Sequence, residues 1–231
     1  MDPAPRALAG VALLSALLAG CVHRDAPRAY PDIDHDAAPA RLAVVEVIAS
    51  DYLPEFPECQ KADVICMDPA PTWIKLQTLD TVTGPDLPRT FYASTTSHYG
   101  KITAYGLSEG PQLMLLLGEG DGLVMARYAR APLAVDAGRR FHLLLHNQGP
   151  HWLPCEVRAL REPITDPVLA RAGAVPRRLF DETRDDASER HYRIEHDFAY
   201  PRYSLPIGKL GDLLGGDLRP ASAFRCDADR D

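Results

Sequence analysis

The stretch Gln112-Leu113-Met114-Leu115-Leu116-Leu117-Gly118-Glu119-Gly120-Asp121-Gly122-Leu123-Val124-Met125-Ala126-Arg127-Tyr128 decides the fold. Two short apolar runs flank a cluster of three glycines. A run of this length bounded by turn signals reads as a strand, and glycine supplies the backbone conformations of a tight reversal, so the stretch is a hairpin. The same grammar recurs upstream. Leu42 to Ala49 is apolar and branched apart from Glu46, and Trp73 to Val82 alternates Ile74 and Leu76 with Lys75 and Gln77 before its phase shifts near Leu79, which predicts a β-bulge there. Thr83-Gly84-Pro85-Asp86-Leu87-Pro88 turns the chain, and Thr90 to Thr96 returns as a Thr-rich strand, giving a second long hairpin. Arg139 to His146 and Cys155 to Leu160 supply two more strands. Short, evenly spaced strands with no long helical period between them predict a mainly β fold, a small antiparallel barrel or sandwich.

Beyond Arg161 the pattern becomes charged and irregular, the mark of a partly helical C-terminal appendage. Asp166-Pro167 fits a helix start and Gly173 a stop; Asp181 to Arg190 reads as a solvated helix or a loop, and Tyr192 to Phe198 as a strand. Ser204 to Leu214 suggests a closing helix with Ile207, Leu210, Leu213 and Leu214 on the side that packs against its own domain.

At the other end, Arg6 precedes an apolar run from Ala7 to Ala19 that reaches Cys21 and then meets His23, Arg24 and Asp25. That is signal-peptide layout, and the run is shorter than the ~20 apolar residues a membrane-spanning helix requires. Leu18-Ala19-Gly20-Cys21 resembles the lipobox of bacterial lipoproteins. The resemblance implies cleavage before Cys21, a diacylglyceryl thioether on its sulfur and acylation of the new amino terminus. Val22, where the family's retention signal has Asp, implies sorting to the outer membrane with the domain facing the periplasm. The expected organisation is a signal peptide over 1–20, the lipidated Cys and a disordered Pro-rich tether over 21–41, a β domain over 42–161 and the appendage over 162–231.

Loss of residues 1–20 removes one acid, Asp2, and one base, Arg6, so the formal charge stays at −7. The bases are scattered rather than gathered in a patch, which argues against nucleic acid as a partner. With Cys21 committed to lipid, Cys59, Cys66, Cys155 and Cys226 remain, an even number that in an oxidising compartment reads as two disulfides. Three pairings exist; Cys59 with Cys66 and Cys155 with Cys226 is favoured, because the first two share one Pro-rich loop. Six residues between Cys59 and Cys66 exceed the spacing usual in zinc sites. A catalytic Cys155 beside His151 is disfavoured in the same compartment.

A second resemblance rests on the order of a Val-rich first strand, the hairpin from Trp73-Ile74-Lys75-Leu76 through Thr83-Gly84-Pro85, and Gly110-Pro111-Gln112-Leu113-Met114-Leu115-Leu116-Leu117. Over residues 42–146 it is similar to the OB-type barrels of netrin-like and metalloproteinase-inhibitor domains. Those inhibitors use a free amino-terminal Cys, whereas here that sulfur is acylated, so inhibition by that route is not implied. Barrels of this type also bind oligonucleotides and oligosaccharides, of which the charge disfavours the first.

Several constellations invite chemistry. Gly106-Leu107-Ser108-Glu109-Gly110 matches a nucleophile elbow, but Pro111 and a strand follow where that motif needs a helix, so Ser108 reads as a turn residue; Asp186 and His191 would be its triad partners. His142, His146 and His151, with His98, suggest zinc or copper, yet residues four apart on an extended strand stand ~13 Å from each other. His191, His196 and Asp197 fall on opposite strand faces, and Asp32, Asp34, His35 and Asp36 read as a solvated charge run. No cofactor is called for. The reading is a lipid-anchored, non-catalytic binding or assembly module for an envelope protein or glycan; the alternative is an envelope hydrolase using Ser108 or a His-based metal site.

Overall fold

The computed structural model describes residues 26–61, 63, 70–97, 110–145, 153, 155–183 and 191–214. Five strands form the barrel: β1 (Ala40–Tyr52), β2 (Ala70–Thr83), β3 (Thr90–Ser97), β4 (Gln112–Leu117) and β5 (Val124–Val135). Their order is β3-β2-β1-β4-β5, and β5 returns to β3 through a parallel contact of Ser94 with Val124 that closes the ring. The Ser94 N–H donates to the Leu123 carbonyl at 2.8 Å across the same seam. All other neighbours in the ring are antiparallel. A closed five-stranded barrel is one of the two architectures expected from the strand pattern.

Curvature comes from extra residues in the ladders. In the β1/β2 register Val44 faces Asp80 and Val45 faces Thr78, so Leu79 is the inserted residue where the sequence phase slips. Ile48 is the extra residue on β1, between Val47 opposite Leu76 and Ala49 opposite Lys75.

Alternate residues of the strands serve two cores. Ala43, Val45, Ile74, Leu76, Phe91, Ala93, Met114, Leu116, Leu123 and Met125 fill the barrel interior. Leu42, Val44, Leu113, Leu115 and Leu117 point outward from β1 and β4 into a second core. A strand buried on both faces reads as a continuous apolar run, which is why β4 shows no polar alternation.

The second core is covered by the C-terminal part. Leu133–Val135 of β5 pair with β6 (Phe141–Leu144), β6 pairs with β11 (Tyr203–Pro206), and β11 with β7 (Glu162–Pro163), extending the barrel sheet. Strand β5 is thus shared between the barrel and the strands that follow it. Leu205, Ile207 and Leu210, the last on α3 (Gly208–Leu214), pack onto the outer wall. Leu213, expected to share that side, is exposed.

The strand expected over Cys155–Leu160 is a 3-10 helix instead. Glu156, Arg158, Ala159 and Leu160 are good helix formers, and the three-residue spacing of Val157 and Leu160 puts both on one side of a 3-10 turn, against the second core. Helix α1 (Pro167–Ala172) starts and stops where expected: the Val168 N–H donates to Asp166 Oδ1 at 2.6 Å, and Gly173 is its C-cap. Helix α2 (Arg177–Thr183) begins earlier than the expected Asp181 start. The single strand expected over Tyr192–Phe198 is a hairpin of β9 (Tyr192–Glu195) and β10 (Phe198–Pro201), reversed at His196 with φ 52°. With β8 (Val175–Pro176) it makes a small separate sheet. Among the described residues no helix is long and apolar enough to cross a membrane.

The disordered tether expected over 21–41 is corrected from Tyr30 onward. The Tyr30 ring meets Phe56 edge-on at 5.5 Å, and Pro31 Cβ lies 3.9 Å from where a Cβ on Gly122, in the β4–β5 turn, would stand. Ile33 and Ala38 pack on the second core, and the Gly118 N–H donates to the Pro39 carbonyl at 2.9 Å. Apolar side chains at 30, 31, 33 and 38 gain more by covering the barrel than the chain loses in ordering a segment already stiffened by proline.

Candidate functional site

Among the described residues, the outer face of β2 and β3 around Trp73 and Tyr92 belongs to neither core. Thr72, Ile74 and Leu76 point inward and are buried, so period-2 alternation turns Trp73, Lys75 and Gln77 outward. Across the ladder Lys75 faces Tyr92 and Trp73 faces Ser94. Trp73 and Tyr92, diagonal neighbours, meet edge to face at 5.5 Å, and the Lys75 ammonium lies 5.5 Å from the centre of the Tyr92 ring. Aromatic rings beside a cation, half-exposed on a rigid sheet, offer apolar contact with a polar rim at little entropic cost. Ser94, opposite Trp73 on the same face, is fully buried, and among the described residues its Oγ has no hydrogen-bond partner. The β4–β5 turn borders the face through Leu123, and Asp51 at the end of β1 pairs with Trp73.

A second polar centre lies under α1. Asp136, His142 and Ser204 are 5%, 3% and 2% exposed. The His142 ring bridges the other two, with Nδ1 3.2 Å from Ser204 Oγ and Nε2 3.2 Å from Asp136 Oδ2. The Arg140 N–H donates to Asp136 Oδ1 at 2.8 Å, and Arg140 Nε donates to Oδ2 at 2.7 Å. The Arg140 backbone donor above all, then its guanidinium and the His142 ring, hold the Asp136 carboxyl down to about 2 against the opposing effect of burial.

Serine, histidine and aspartate in a row invite comparison with a hydrolase triad, but the geometry is that of a strut. The serine meets Nδ1 where a triad presents Nε2, and all three groups are shut off from solvent. The chain joins the β5–β6 turn to β6 and β11, while Asp166 accepts from the Ala137 N–H at 3.0 Å and fastens α1 to the same turn. Because the folded carboxyl titrates below its ordinary value of 3.8, its contribution to stability is complete above about pH 4 and is lost as pH falls toward 2. Asp136→Asn is therefore expected to lower the thermal midpoint at pH 7, with the gap from wild type closing between pH 4 and 2. A gap that stays constant over that range would show that the carboxylate is not the group responsible.

Of the residues singled out by sequence, His142 is placed in this strut and not on a solvent-facing metal site. Among the described residues no group of three or more His, Cys, Asp or Glu side chains is arranged to hold a metal ion. His196 sits in the β9–β10 turn, and Asp34 accepts from the Asp36 N–H at 3.0 Å, a local turn within the charge run. Cys59 ends up in a 3-10 turn over Pro57–Gln60. Cys21, Cys66, Cys226, Ser108, His98, Asp186, His146 and His151 lie outside the described residues, as does the side chain of Cys155. Sequence reading missed Asp136 and Ser204 as partners of His142, since 62 residues separate the ring from the hydroxyl. The Trp73–Tyr92 pairing was missed too, although both residues stand at outward positions of the recognised hairpin.

Set against protein-family models, curated proteins and solved structures, the chain matches none.

Proposed function

We propose that this protein is a lipid-anchored component of the bacterial cell envelope whose OB-type barrel is a non-catalytic binding or assembly module. The observation that carries the reading is the half-exposed Trp73, Tyr92 and Lys75 cluster, on a wall of the closed barrel that belongs to neither core among the described residues. The β2–β3 face is where barrels of this type take their ligands, and the surface charge favours an envelope protein or glycan over nucleic acid. Lipidation of Cys21 and sorting by Val22 to the outer membrane rest on the sequence Leu18-Ala19-Gly20-Cys21-Val22. The netrin-like resemblance is supported by the barrel closure alone. The pairing of Cys59 with Cys66 rests on their place in one Pro-rich loop. Cys155 with Cys226 follows as the remaining pair.

The test is recovery of partners from crosslinked envelopes. Trp73→Ala and Tyr92→Ala in the lipidated chain are expected to reduce recovery of the bound partner by about tenfold or more, as truncation of an aromatic anchor does. Cys21→Ala is expected to abolish it by removing the protein from the membrane. An unchanged partner set in the two aromatic variants would overturn the assignment of the face.

A further inference from the structure

We propose that a short leash holds the loop end of the barrel, formed by the β1–β2 loop at Phe56 and the β4–β5 turn, against the lipid head groups. The inference rests on the anchor reading above and adds an orientation to it. Tyr30 and Pro31 are adjacent in the chain; the Tyr30 ring packs on Phe56, and Pro31 Cβ lies 3.9 Å from the place a Cβ on Gly122 would occupy, so the dipeptide stands beside both loops. Tyr30 stands nine residues after Cys21 in the chain.

Nine residues reach at most ~30 Å fully extended and average ~17 Å when flexible. A compact domain of the mature chain's size has a radius of gyration of about 17 Å and is roughly 40 Å across, so the path halfway round it is on the order of 60 Å. The leash is too short for that path. The side of the barrel opposite Tyr30 therefore cannot be turned to the bilayer while the lipid stays inserted. Docking of Tyr30, Pro31, Ile33 and Ala38 fixes the exit point, and a lipid chain held by ~0.8 kcal/mol per buried methylene fixes the other end. The loop end carries exposed Glu55, Glu58 and Glu119 alongside exposed Pro54 and Pro57, which fits zwitterionic head groups and not an anionic surface.

The full-length lipidated protein in phosphatidylcholine vesicles with an acceptor dye on the head groups tests this. A ketone-bearing amino acid carrying a donor fluorophore replaces Glu119, in the β4–β5 turn, or Ala137, in the exposed turn at the far end of the 12-residue strand β5. Energy transfer from position 119 is expected to exceed that from position 137 at least twofold. A Gly/Ser insert of ~20 residues between Arg24 and Asp25 is expected to erase the difference by lengthening the leash. Equal transfer from the two positions, in protein whose mass carries the Cys21 lipid, would overturn the orientation and leave the anchor standing. A mass without lipid would overturn the anchor and the orientation with it.

Discussion

Replacing Leu115 or Leu116 by Ala is expected to cost about 2–5 kcal/mol in either case, the range for deleting a buried leucine side chain without full collapse of the cavity. Adjacent positions on a strand point to opposite faces, and in a sheet with one wet side one of two such substitutions is cheap. Here Leu115 is 1% exposed within the second core and Leu116 is fully buried inside the barrel. Both substitutions leave a void. Denaturant unfolding of the two variants measures this directly. If Leu115→Ala were nearly neutral while Leu116→Ala was severe, the outer wall of β4 would be open to water and the covering role of β11 and α3 would be wrong.

Gly118→Ala is expected to be comparably damaging for a different reason. Gly118 has φ +96°, and a Cβ built there would stand 2.5 Å from the Gly122 carbonyl oxygen, a backbone atom that cannot swing aside. Backbone strain of ~1–3 kcal/mol at such a conformation adds to the clash. The turn also receives the Arg41 guanidinium, whose Nη2 donates to the Gly118 carbonyl at 3.0 Å. Gly120, with φ +58° and no atom within 4 Å of its hypothetical Cβ, provides the control. Gly120→Ala is expected to cost only ~1 kcal/mol. Equal losses of thermal midpoint in the two variants would mean that the contact with Gly122 is absent.

The barrel was legible because its strands announce themselves locally. Alternation in Trp73–Val82, the Pro/Gly turn at Thr83–Pro88 and the glycine turn at Gly118–Gly122 each fix an element within a few residues, and even the slip at Leu79 marks its bulge. The appendage was less legible because its contacts are long-range. Nothing near Cys155–Leu160 in the chain separates a strand from a 3-10 turn; that choice is made by Val157 reaching the second core. The Pro27, Pro31 and Pro39 composition reads as a tether because the surface that captures Tyr30 and Ile33 exists only once the barrel has closed. The same holds for the polar strut, where Ser204 is brought to His142 by the β6–β11 ladder. The aromatic face lay within reach of a strand-pairing argument, since the register that sets Lys75 opposite Tyr92 follows from the hairpin.

The two-core arrangement also sets a timetable. A polypeptide is made from its amino end, and the last strand of the barrel is complete at Val135, while the residues that roof its outer wall from the carboxyl side run from Leu143 to Leu210. At synthesis rates of ~5–20 residues per second, several seconds pass between Val135 and Leu210. During that interval Leu42, Val44, Leu115 and Leu117 have only part of their lid, and a chain with a leucine-rich wall half-covered is a target for holdase chaperones and for its own neighbours.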